Sequence, residues 1–192
     1  MRSVLEVDTK LPQTFNQHLI TTIRRQAGWS ISYDDHIENR SGDIADQYSD
    51  SGMLLQSYSF NQDPSINELN LNLNILAYTI FNVVISSIDN CKFTNINIRR
   101  YLWNYYSRSS QGIDHYDVPI NEPGNFCSIV YYLNNTDGGT ILSNKFYQSQ
   151  VGKAIVFDSK QIHRGSGPVT AKQRYALNIV FQYDTLEFTN VV

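Results

Sequence analysis

His115, Tyr116 and Asp117 stand together, and His163 is the sole histidine after them. In extended chain, residues two apart project to the same side, so the imidazole of His115 and the carboxylate of Asp117 can converge on one point. Such a pair suits Fe(II), Mn(II) or Zn(II), and a third donor is needed to hold one. His163 is the best candidate, because it follows the strand-like run Ala-Ile-Val-Phe-Asp-Ser at 154–159 and opens onto a Gly-rich turn. Two histidines and one carboxylate leave coordination positions open, the arrangement that activates dioxygen at non-haem iron. An HxD pair also arises by chance in many chains, so the spacing alone does not establish a metal site. His18, on an expected helix, and His36, in a polar loop, have no ligand context and read as surface residues.

The elements that must position these side chains are mostly strands. The segments Phe93–Tyr106, Ser128–Leu133, Ala154–Phe157 and Tyr175–Tyr183 are rich in aromatic and β-branched residues. Polar turns separate them, including Asn135-Thr136-Asp137-Gly138-Gly139 and Arg164-Gly165-Ser166-Gly167-Pro168. Short strands so punctuated argue a sandwich or barrel and not alternating βαβ units. Two helices are expected outside it. In Thr14–Arg25, Phe15, Leu19, Ile20 and Ile23 recur near helical spacing. In the second segment, Leu69, Leu71, Leu73 and Ile75 alternate as in a strand, while Ile80, Phe81, Val83, Val84 and Ile88 share a helical side. Asp63-Pro64-Ser65 marks a helix start and the length exceeds that of a strand, so a helix from about Ile66 is expected. Trp29–Tyr33 reads as a short extended piece, 34–52 as a polar loop or lid, and Met53–Phe60 as a strand.

The chain has 192 residues and a formal charge of −3. One domain is expected, with helical and loop support over about 1–92 and a catalytic β core over about 93–185. The mild acidity argues against general binding to nucleic acid or anionic membrane, and no apolar run is long enough to span a bilayer. Arg99, Arg100 and Arg108 form a local basic cluster that reads either as a small positive rim or as solvent anchors. Cys91 and Cys127 are too few for a disulfide framework and read as reduced, which points to a cytoplasmic protein.

Taken in order, His115-Tyr116-Asp117, Tyr131-Tyr132-Leu133-Asn134, Gly138-Gly139, His163 and Arg174-Tyr175-Ala176-Leu177-Asn178 resemble the 2-oxoglutarate and iron(II)-dependent oxygenases, particularly their prolyl 4-hydroxylase-like branch. The resemblance covers roughly Ile96–Tyr183. It implies a double-stranded β-helix, a jelly-roll (cupin-like) core with helices bracing one sheet. It also implies Fe(II) on His115, Asp117 and His163, 2-oxoglutarate as cosubstrate, and ascorbate as a supporting reductant. Arg174 would pair with the distal carboxylate of 2-oxoglutarate through its planar fork. Tyr132 matches a family tyrosine that hydrogen-bonds the same carboxylate, while Tyr131 points the other way. Tyr105 resembles an aromatic residue lining that pocket, although core filling explains it equally well. Thr140 is a further candidate lining residue, and Gly138 and Gly139 are turn formers.

The implied activity is hydroxylation of a peptidyl side chain, proline among the candidates, using O₂ and releasing succinate and CO₂. A free amino acid or other small molecule is the alternative substrate, and a metal-binding jelly roll without turnover is the alternative class. Two departures narrow the branch. The distal basic residue is Arg where collagen-type hydroxylases use Lys, and Val180 stands where relatives that repair alkylated bases carry a second Arg. The pattern leaves oligomeric state open.

Overall fold

The computed structural model describes residues 4–26, 54–59 and 68–188. The expected lid at 34–51, the Trp29–Tyr33 segment, His36 and the Asp63-Pro64-Ser65 helix start lie outside the described residues.

Six strands form the main sheet: β1 (Leu5–Asp8), β2 (Leu54–Ser59), β4 (Asn97–Ser107), β5 (Asn125–Tyr132), β8 (Lys153–Asp158) and β10 (Gln173–Tyr183). Their order is β1-β8-β5-β10-β4-β2, and every pairing is antiparallel. A smaller sheet is built from β6 (Gly139–Leu142), β7 (Lys145–Gln148) and β9 (His163–Ser166), in the order β7-β6-β9. A third pairing joins β3 (Cys91–Phe93) to β11 (Leu186–Phe188). The two facing sheets make the jelly roll that the sequence implied.

Because side chains alternate along a strand, β10 serves two compartments at once. Tyr175, Leu177, Ile179 and Phe181 belong to the large apolar core, which also holds Leu19 and Ile23 of α1 (Gln13–Gln26) and Leu73, Ala77, Ile80 and Val84 of α2 (Glu68–Ser86). These helix residues recur at steps of three and four, which is why each helix presents one buried stripe to the sheet. Tyr131 reaches the same side, where its hydroxyl donates to Asn16 Oδ1 of α1 at 2.7 Å. Ala176 falls on the opposite side and packs between the sheets with Val130, Tyr132, Leu142, Tyr147 and Phe157. Arg174 and Asn178 alternate in phase with Ala176 and share that inner face.

Several expectations shift in detail. The stretch Phe93–Tyr106 is broken into β3 and β4, with Asn95 between them in the left-handed region at φ 49°. Arg164, Gly165 and Ser166, read as a turn, are strand β9. β1 and the short strands of the smaller sheet carried no clear period in four residues each. Cys91 and Cys127 are buried free thiols, and His18 is exposed. No helix among the described residues is long and apolar enough to cross a membrane.

Candidate metal centre and anion pocket

His115 and Asp117 lie on an extended segment that is not a regular strand. A single antiparallel bridge, His115 N–H to His163 O at 2.9 Å and His163 N–H to His115 O at 3.0 Å, sets the two histidines side by side. The next turn of backbone is pinned by Asp117 N–H to Ser159 O at 3.0 Å. The two-residue logic therefore holds without a full ladder. The ligand atoms of His115, Asp117 and His163 all fall within 4.8 Å of one another. These residues form the two-histidine, one-carboxylate facial triad consistent with a catalytic Fe(II)-binding oxygenase.

Each imidazole is fixed through its other nitrogen. His115 Nδ1 lies 2.8 Å from the Ile113 carbonyl and His163 Nδ1 lies 2.9 Å from the Gln161 carbonyl, so both rings donate from Nδ1 and turn Nε2 toward Asp117. The Nε2 of His163 is buried and has no hydrogen-bond partner among the described residues. It lies 3.4 Å from Asp117 Oδ2, and a divalent cation is the partner that two imidazoles and a carboxylate so converged fit.

Asp117 is held from three strands. Ser128 Oγ of β5 donates to Oδ2 at 2.5 Å, Asn178 Nδ2 of β10 at 3.1 Å, and Arg100 of β4 donates to Oδ1. Ser128 Oγ also meets Ser159 Oγ at 2.8 Å. Burial opposes the ionised carboxylate, but His163 and Arg100 outweigh it and hold Asp117 well below the ordinary carboxylate range. The donor is therefore anionic at neutral pH.

Further along the inner face of β10, Arg174 is 1% exposed and forms no ion pair with a described residue. Its Nη2 donates to Thr140 Oγ1 at 3.1 Å and its Nη1 to the Ser166 carbonyl at 3.4 Å, while Nε has no hydrogen-bond partner among the described residues. The guanidinium lies 4.6 Å from the ring of Tyr106 and 5.4 Å from that of Tyr132. Burial raises both tyrosines above their ordinary value, against the pull of Arg174, so both keep the proton a carboxylate would accept. A buried cation so placed is a pocket for an anion.

No protein-family model matches the sequence, and no curated protein matches it. Solved structures do match. A viral collagen prolyl hydroxylase from Paramecium bursaria Chlorella virus-1 is 15% identical, with 95% of this chain and 96% of that one covered at a TM-score of 0.53. A prolyl hydroxylase of Trichoplax adhaerens, in complex with a hypoxia inducible factor peptide fragment, is 17% identical over 96% and 84%, at 0.56. The α-ketoglutarate-dependent epimerase SnoN of nogalamycin biosynthesis is 10% identical over 96% and 79%, at 0.61. This chain shares the jelly-roll fold of these structures.

In this jelly roll the sequence-predicted residues His115, Asp117 and His163 meet, and Arg174, Tyr132 and Thr140 meet in the neighbouring pocket. Tyr105 does not join them. Register pairs it with Tyr175, whose ring lies 5.3 Å away on the helix-facing side, and Tyr106 takes the place beside Arg174. The basic cluster also divides: Arg100 reaches Asp117, Arg99 lies over Phe126, and Arg108 donates to the Thr170 and Ala171 carbonyls. Gly138 and Gly139 are needed for close approach and not for a left-handed turn. A Cβ on Gly138 would strike the backbone of Ser166–Pro168, and one on Gly139 the carbonyl of Tyr147. Ser128, Tyr106 and Gly165 carry no local spacing signal, and the motif that ends in Asn178 does not announce its contact with Asp117. Strand pairing alone brings them to the site.

Proposed function

We propose that this chain is a 2-oxoglutarate- and Fe(II)-dependent dioxygenase that hydroxylates a peptidyl side chain, proline among the candidates. O₂ and 2-oxoglutarate are consumed, and succinate and CO₂ are released. One observation carries the reading: a facial triad whose carboxylate is met by Asn178 of β10 lies beside the inner sheet face that also carries a buried Arg174 without an acidic partner among the described residues. A metal-binding jelly roll has use for the first feature but none for the second.

His115, Asp117 and His163 would hold the iron, which supplies the oxygen-activating redox chemistry that protein side chains lack. The chain's own residues do the rest. Ile113 and Gln161 carbonyls fix the imidazole tautomers, and Ser128 and Asn178 fix the orientation of the Asp117 carboxylate. Arg174 grips the distal carboxylate of 2-oxoglutarate, with Tyr132, Tyr106 and Thr140 completing the pocket wall. Its burial strengthens that pair by excluding competing water.

The peptidyl reading draws support from two neighbours in fold that are named prolyl hydroxylases. A small-molecule substrate is the second reading, favoured by the exposed edge of Arg100 beside the triad, a cationic group that a neutral peptide backbone does not require.

The test is anaerobic loading with Fe(II) and 2-oxoglutarate, then oxygen exposure with ascorbate and quantitation of succinate. Prolyl peptides and free amino acids form the substrate panel. Iron-dependent succinate above the His163→Ala background is expected, with stimulation by one panel member. Metal and 2-oxoglutarate binding without succinate, across the whole panel, would move the assignment to a binding module.

A further inference from the structure

We propose that Arg100 is the specificity-determining residue of this site and that it recognises a carboxylate on the substrate. The proposal rests on the oxygenase reading above and adds the chemical class of substrate to it.

The first argument is placement. On β10, Arg174, Asn178 and Val180 share the inner face, and Arg100 of β4 stands opposite Val180 as Tyr106 stands opposite Arg174. At about 3.3 Å per residue, Arg174 is about 13 Å along the strand to one side of Asn178, and Arg100 about 7 Å to the other. Asn178 and Arg100 both touch Asp117, so the triad's carboxylate is met on the Arg100 side of the strand position of Arg174. The cosubstrate pocket is on the Arg174 side. Arg100 therefore faces the remaining side, where its side chain is 34% exposed and open to an incoming molecule.

The second argument is charge. Asp117 is the acid that pairs with Arg100 among the described residues. A divalent cation on the triad neutralises Asp117 and repels the neighbouring guanidinium. With 2-oxoglutarate bound, its two carboxylates together with Asp117 balance the metal and Arg174. The charge of Arg100 then has no counterpart among the described residues, where its buried Nε also has no hydrogen-bond partner. A cation left so in a half-buried site is costly, and an anion arriving last relieves it. A planar fork of donors selects a carboxylate in particular.

The experiment uses the full chain with Mn(II) in place of iron. Calorimetry first gives the affinity for Mn(II) and then for 2-oxoglutarate. Next it gives the binding of free L-amino acids, of the same amino acids as carboxamides, and of end-blocked peptides with or without Asp or Glu beside proline. Each is repeated with Arg100→Met and Arg100→Lys. The expected result is that acids bind in preference to their amides by on the order of tenfold to a hundredfold, the range for hydrogen bonds to charged groups. Arg100→Met abolishes that preference, Arg100→Lys keeps part of it, and Arg100→Met binds Mn(II) no more weakly than the parent chain because a competitor for Asp117 is gone. Free amino acids and acidic blocked peptides separate the two sources of the carboxylate. Equal binding of acids and amides, or no carboxylate binding at all, overturns the proposal while leaving the metal site intact. Weaker Mn(II) binding by Arg100→Met overturns it too, because Arg100 would then be a support for Asp117. Failure of the parent chain to bind Mn(II) sinks the oxygenase reading itself.

Discussion

At the scale of single residues, the buried carboxylate of Asp117 is held by several partners at once. Four hydrogen-bonding contacts from Ser128, Asn178 and Arg100 converge on it, and a backbone bond from its own N–H anchors the segment. Neutral donors such as Ser128 and Asn178 orient a ligating carboxylate and so tune metal affinity, whereas Arg100, a cation on Oδ1, competes with a metal for it. Ser128→Ala and Asn178→Ala are each expected to weaken Mn(II) binding on the order of tenfold to a hundredfold without unfolding the chain. Titration calorimetry with circular dichroism as the folding control checks this. An unchanged affinity in both variants would mean the carboxylate is positioned by its backbone alone. Arg174 offers a matching test at the other end. Arg174→Ala leaves Mn(II) binding intact and raises the Kd for 2-oxoglutarate by roughly tenfold to a hundredfold, since it removes a charge-assisted fork. The ligands were legible because HxD is a local spacing. The contacts of Ser128 and Asn178 with Asp117 were not, because the two come from two other strands and only the pairing of Val130 with Asn178, and of Ser128 with Val180, brings them to the same wall.

At the scale of elements, register decides which of two adjacent tyrosines serves the pocket. Tyr105 and Tyr106 are equally aromatic in sequence, and alternation sends one to the helices and the other to Arg174. The position of Tyr106 depends in turn on β9, because a Cβ on Gly165 would lie on its hydroxyl and ring. Gly165→Ala is expected to displace Tyr106, lowering both thermal stability and 2-oxoglutarate affinity, while Tyr105→Phe leaves the affinity unchanged. The loop between β9 and β10 has its own fastener. Asp137 accepts from the backbone N–H groups of Val169, Thr170 and Ala171 and from the Thr170 hydroxyl. The Thr170 amide is the main cause that lowers Asp137 from 3.8 to about 2. A depressed carboxylate stabilises the fold fully above its unfolded value and loses that effect as pH falls through its folded value. Protection of the Thr170 and Ala171 amides from hydrogen exchange should therefore hold above pH 4 and fall between about pH 4 and 2. Asp137→Ala should show the low protection at every pH, and protection that ignores both changes would remove Asp137 from this role.

At the scale of the whole molecule, one sheet separates two kinds of chemistry. Its helix-facing side is apolar and supports the fold, while its inner side carries Arg174, Asn178 and the groups around Asp117. Both helices and most long strands were legible because their periods run over enough residues to be read. β1 and the smaller sheet were not, since four residues cannot distinguish strand from turn and their pairing is set at long range. The division of labour between the two faces makes a separable prediction about stability. Leu177 is fully buried on the helix side, so Leu177→Ala should cost about 2–5 kcal/mol through lost burial and a residual cavity. Mn(II) and 2-oxoglutarate bind the inner face of the folded state, so each, at a hundred times its Kd, should add about 2.7 kcal/mol. For a chain of this length that is a rise in Tm of roughly 5–10 °C per ligand. Leu177→Ala should therefore melt lower but keep the full ligand increment. His163→Ala should melt near the unliganded parent and gain nothing from Mn(II), since only the inner face has changed. A scanning-calorimetry matrix of the three proteins with and without each ligand reads this directly. If Leu177→Ala also lost the increment, the two faces would be energetically coupled, and the sheet would be transmitting core packing to the metal centre instead of insulating it.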